Sequence, residues 1–131
     1  MKRINLRTIT CSILINYLTD EFEIINQLEK IQQQIKIIEE NYTKIKTLRI
    51  SIIFNEKISI SSLPGLINKL IFIQNQSKKL SIRWISLTLG SNQFENLENI
   101  PEIIRTIILK ISNIFVHLVV SKNIKPIFDY Y

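Results

Sequence analysis

Glycine, proline, cysteine and alanine are nearly missing from this chain of 131 residues, and each shortage closes off a class of function. There are two glycines, Gly65 and Gly90, so no glycine-rich loop is present to cradle phosphates. One cysteine, Cys11, excludes an intramolecular disulfide and fits a reducing compartment. One histidine, His117, and one cysteine do not make a zinc site by themselves. No apolar run reaches the ~18 residues of a membrane span, because Asn68 and Lys69 interrupt the best stretch. Near the start, Asn5, Arg7, Thr8 and Thr10 break the apolar core that a signal peptide needs. The expectation is a soluble, cytoplasmic protein with no membrane partner and no cofactor.

What is abundant is isoleucine, asparagine and lysine. With no alanine at all, this reads as a codon bias toward AT-rich triplets, which discounts the net charge of +6 as a sign of nucleic-acid binding. The apolar fraction of 46% argues for a folded chain rather than a disordered one. The length fits one domain spanning residues 1–131, open to being the N-terminal part of a larger barrel.

Hydrophobic spacing divides the chain into alternating strands and helices. Leu6 to Ile15 alternates and reads as a strand. Asp20 with Glu23 has the form of a capping box, and Phe22, Ile25, Leu28, Ile31, Ile35, Ile38 and Tyr42 then recur at helical spacing. Ile45 to Phe54 is a second strand. Ser62-Leu63-Pro64 opens a second helix with Leu66, Ile67, Leu70, Ile71 and Gln74 on its stripe, ending near Lys78 and Lys79. Ile82 to Leu89 is a third strand closed by Gly90. Asn99 and Glu102 suggest another capping box, before a helix striped by Ile103, Ile104, Ile107, Ile108 and Ile111. Ile114 to Val120 is the fourth strand, and the tail from Ile124 to Tyr131 has no assigned element.

Strand side chains alternate between faces. One face then holds Ile9, Cys11 and Ile13; Leu48, Ile50 and Ile52; Ile85, Leu87 and Leu89; Val116, Leu118 and Val120. The other holds Thr8, Thr10 and Ser12; Thr47, Arg49 and Ser51; Trp84, Ser86 and Thr88; Phe115, His117 and Val119. A doubly wound sheet shows continuous apolar strands instead. Sequential strands joined by right-handed crossovers place all three helices on one side. The fold expected is therefore α/β, four strands in order with helices on the aliphatic face, like half of a βα barrel; an open-faced α/β sandwich is the alternative.

Thr10, Thr47, Arg49, Ser86, Trp84 and His117 on the polar face are the candidate ligand-binding residues. Hydroxyls beside a guanidinium suit an anionic ligand, because arginine offers a fork of donors; the plainer reading is a wet surface or a partner interface. Every Asp and Glu falls in a helix, loop or tail, which leaves no carboxylate pair on that face for acid–base chemistry and no catalytic residue to nominate. Cys11 has the parity of the aliphatic face and reads as an inert thiol. His117, between Val116 and Leu118, reads as a packed histidine rather than a general base.

Arg7-Thr8-Ile9-Thr10, Lys46-Thr47-Leu48-Arg49-Ile50, Leu89-Gly90, Ile100-Pro101-Glu102-Ile103-Ile104 and Phe115-Val116 follow one another in an order that resembles the N-terminal part of the domain-of-unknown-function family numbered 711. That resemblance, spread over most of the chain, implies a parallel half-barrel of the pyruvate formate-lyase-like type and no assigned reaction. Members of the family are several times longer, so it also implies a fragment, a truncated relative or a stand-alone remnant. The catalytic cysteines and glycyl radical of true radical enzymes with this barrel have no counterpart here. Ser91-Asn92-Gln93 departs from the Pro-containing turn usual in the family, so no ligand contact carries over at that strand end.

Three readings of function compete. A half-barrel binding a small anion through the polar face comes first, with or without membership of a larger enzyme. A structural module pairing with itself or another chain through open sheet edges comes second. A nucleic-acid binder centred on Lys78, Lys79 and Arg83 comes third, since no RNA-binding signature accompanies those residues.

Overall fold

A computed structural model describes residues 8–41 and 47–120. Four strands and three helices alternate: β1 (Thr8–Ile15), α1 (Glu21–Asn41), β2 (Thr47–Phe54), α2 (Leu63–Lys79), β3 (Trp84–Gly90), α3 (Ile100–Lys110) and β4 (Ile114–Val119). The sheet is wholly parallel in the order β1-β2-β3-β4. This is the one-sided, half-barrel-like α/β winding that the strand parity predicts.

Parity carries directly into burial. On the helix side Ile13, Ile15, Ile50, Ile52, Phe54, Ile85, Leu87 and Leu89 are no more than 1% exposed. Each such isoleucine or leucine contributes roughly 1.5–3 kcal/mol by leaving water. They meet Ile24, Leu28, Ile31 and Ile35 of α1, Leu66, Leu70 and Ile73 of α2, and Ile100, Ile103 and Ile107 of α3. On the other side no helix among the described residues lies over the strands, and Thr10, Ser12, Arg49, Thr88 and His117 stand exposed.

Three local expectations are corrected. Phe22 is not part of the α1 stripe: it is 77% exposed, and Ile24 takes its place. Ile24, Leu28, Ile31 and Ile35 keep a single i, i+4, i+7, i+11 phase, from which Phe22 lies about half a turn away. The Asp20 cap does form, its carboxylate accepting from the Glu23 N–H at 2.8 Å. The Asn99 cap does not. Asn99 is already in helical conformation with no side-chain capping bond, because a 3₁₀ turn over Leu97–Asn99 precedes α3 and Asn96 caps that turn through the Glu98 N–H. Finally, Ile82 and Arg83 lie outside β3. The chain leaves α2 through Ser81, whose φ of 60° is the left-handed bend glycine usually provides, and the strand begins at Trp84. The expected positions Leu6, Ile45, Tyr42 and the tail from Ile124 fall outside the described residues.

Candidate functional site

Register arranges the open face into rows. Thr10, Arg49 and Trp84 are aligned in the first row; Ser12, Ser51, Ser86 and Phe115 in the second; Leu14, Ile53, Thr88 and His117 in the third. The structure thus brings Thr10, Arg49 and Trp84 together, with Ser86 about 8 Å from Arg49 by strand geometry. His117, expected as a packed histidine, is instead exposed, because its parity puts it on the uncovered face; it lies apart from Arg49, two strands across and four residues along, roughly 16 Å away. Thr47 opens β2 opposite Thr8. Arg49 is exposed and makes no hydrogen bond or ion pair with another described residue.

Trp84 is a packing centre on this face. Its ring lies 5.0 Å from that of Phe115, and the Arg83 guanidinium stands 5.5 Å from its centroid. Such contacts are worth about 1 kcal/mol each. Arg83 is therefore engaged with an aromatic ring, while Lys78 and Lys79 stay exposed at the end of α2. Cys11 is half-buried on the helix side, and burial pushes its thiol pKa up, away from nucleophilic use.

The open face is also more apolar than hydroxyls alone suggest. Leu14 is 55% exposed, Phe115 49% and Val119 59%. Three clefts of about 400–460 Å³ lie elsewhere, between α1 and α2 or among the loops. None is lined by Thr10, Arg49, Trp84, Ser86 or His117.

At the carboxyl ends of the strands, where open α/β sheets usually hold ligands, the loops are tied to one another instead. Gln93 donates to the carbonyls of Phe54 (2.7 Å) and Glu56 (3.0 Å) and accepts from the Gly90 N–H (2.7 Å). Gly90 makes room for this turn: a Cβ there would sit 2.6 Å from Asn92 Oδ1. The Tyr17 hydroxyl donates to the Lys57 carbonyl (2.7 Å) and hydrogen-bonds with Ser62 Oγ (2.9 Å). Burial is the main cause that pushes the Tyr17 phenol pKa up; Ser62 pulls it down, and Glu56 and Glu95 add to the rise.

The two ends of the sheet are finished differently. Along β1, the N–H and C=O of Leu14 turn away from β2 and are both taken by the side chain of Gln27 on α1, at 2.9 Å each. That amide stands in for a neighbouring strand. Along β4, the Asn113 carbonyl accepts from Ile85 of β3, so by alternation Ile114, Val116 and Leu118 turn their N–H and C=O groups outward. No hydrogen bond from another described residue meets them. Their side chains, on the helix side, are only half-buried, in contrast to the full burial of their neighbours on β2 and β3. Above them α3 carries Ile104, half-buried, and Ile108, 51% exposed. The expected five-isoleucine stripe of α3 is thus wider than the sheet beneath it.

Gln27 lies outside the residues that sequence reasoning singles out, and the residues of this apolar flank are read there only as core. An amide on a helix surface carries no local sign of a strand edge beside it. The width of the Ile103–Ile104–Ile107–Ile108 stripe does carry one: two flanks of a helix cannot both face one sheet.

Among the described residues no group of three His, Cys, Asp or Glu stands ready to hold a metal, and no helix is long and apolar enough to cross a membrane. Compared with known proteins, the chain matches no family model, no curated protein and no solved structure.

Proposed function

We propose that this chain is a structural assembly module that takes up another polypeptide strand along β4 and beneath the outer flank of α3. The observation that carries the reading is the flank at β4: a row of outward backbone groups under half-covered isoleucines, with no counterpart of the Gln27 amide that caps Leu14 of β1. Edge strands that are to stay alone are normally blunted by charge, proline or a covering side chain. Residues Ile114–Val119 contain no charged residue and no proline. Main-chain pairing supplies affinity in strand addition, and alternate side chains supply selectivity. The test is binding of a lysine-flanked peptide bearing the β4 sequence, followed by fluorescence polarisation. Capture by the chain, and loss of capture in Val116→Lys with unchanged circular dichroism, are the expected results; capture that survives the lysine would contradict the reading.

A second reading, of a different class, takes the first row of the open face as an anion site. What favours it is Arg49, exposed beside Thr10 with no acidic residue on that face among the described strands. Phosphate or citrate would then raise the melting temperature, and Arg49→Ala would remove the increase. Equal responses of both proteins to every anion would count against it.

A further inference from the structure

Resting on the assembly reading, we infer that the strand added at β4 is the β4 of a second copy of this chain, paired antiparallel about a two-fold axis through Val116. Three observations converge on that occupant.

The first is register. The outward-turned residues Ile114, Val116 and Leu118 are symmetric about Val116. A copy rotated about an axis at that residue sets Val116 against Val116 and Ile114 against Leu118, each as a pair exchanging two backbone hydrogen bonds. The same operation keeps every side chain on its proper face. Ile114, Val116 and Leu118 meet their mates on the helix side, and Phe115 faces His117 on the open side.

The second is charge. β4 holds no charged residue, and self-pairing there brings no like charges opposite each other.

The third is the other edge. A head-to-tail contact, β4 of one copy along the whole of β1 of the next, would have to displace Gln27 from both groups of Leu14. Pairing through β4 alone leaves that cap in place and closes after two copies, the self-complementary arrangement commonest in oligomers. The product is one continuous eight-stranded sheet with the two α3 helices side by side, Ile104 and Ile108 toward the seam.

Size sets the strength. A six-residue strand is about 20 Å long, and a sheet with one helix layer is about 20 Å deep, an end face of roughly 400 Å² per copy. Standard interfaces bury about 800 Å² per partner. The dimer should therefore dissociate in the micromolar range rather than persist at nanomolar concentration.

The test is site-specific oxidation of the full chain in a Cys11→Ser background, with sedimentation equilibrium on the unoxidised protein. Residues paired on the axis lie about 5.5 Å apart at Cα, within disulfide range. Val116→Cys should form a covalent dimer by itself. Leu118→Cys should not, because its own mate lies roughly 14 Å away, but should cross-link when mixed with Ile114→Cys, at least tenfold above either alone. A chain that stays monomeric to several hundred micromolar would overturn the second-copy inference and leave peptide capture to judge the broader reading. A dimer that cross-links at Leu118→Cys alone would overturn it as well. Loss of peptide capture together with a dimer insensitive to Val116→Lys would remove both.

Discussion

The two ends of this sheet begin from the same problem and resolve it differently. β1 and β4 both expose one row of backbone groups, yet β1 has a helix-borne amide seated on its edge and β4 has only half-covered isoleucines above it. At β1 the capping is local: Gln27 satisfies Leu14, while by alternation Thr10 and Ser12 turn their groups outward as Val116 does. An edge that is apolar on one side and meets no hydrogen bond from another described residue gains more from a neighbouring strand than from water. The difference teaches that the two edges of a singly wound βα sheet need not be finished alike: the first has a helix-borne amide at one end of its row, and the last has a half-covered apolar flank along it.

The largest effect should separate the centre of the sheet from its open end. Leu87→Ala, at a fully buried position of β3, is expected to cost about 3–4 kcal/mol in urea unfolding, whereas Val116→Ala on β4 should cost about 1 kcal/mol or less. Equal losses would mean that β4 is covered as well as β3 in solution. Next, Gln27→Ala removes both bonds to Leu14 and is expected to cost about 1 kcal/mol, with a larger rise in amide exchange at Leu14 than at any other residue of β1. Unchanged exchange there would show that the cap is not held. A gain of similar size is expected where α2 ends: Ser81→Gly relieves the left-handed φ of 60° and should stabilise by about 0.5–1 kcal/mol.

The smallest contrast concerns pH. In the folded chain the Tyr17 phenol holds its proton above the ordinary value, mainly through burial. An unfolded tyrosine ionises near pH 10. The contribution is therefore complete below about pH 10 and is lost as pH rises through the folded value, since the unfolded state releases the proton first. Tyr17→Phe should lower stability at neutral pH, by losing the donation to Lys57, and decline less steeply than the parent in alkali.

Most of the fold was legible in the residues because burial in a one-sided sheet has a period of two. Ile50, Ile52, Ile85 and Leu87 against Arg49, Ser51, Trp84 and Ser86 state by side-chain chemistry alone which face is covered. Helix phase was harder: with isoleucine at both 24 and 25, and at both 103 and 104, several stripes fit, and only packing selects one. The site was legible as a face and not as an edge. Thr10, Arg49 and Trp84 do align, but nothing local announces that His117 is four residues up the sheet, or that Gln27 spends its amide on Leu14. Those facts depend on register between strands, which is set by loops and packing across the whole fold.

The most direct measurement is hydrogen exchange of individual amides at two concentrations, one below and one above the micromolar range. The outward amides of Ile114, Val116 and Leu118 should slow at the higher concentration, while Leu14, already bonded to Gln27, should not change. Slowing confined to β1, or no dependence on concentration at either edge, would contradict assembly through β4.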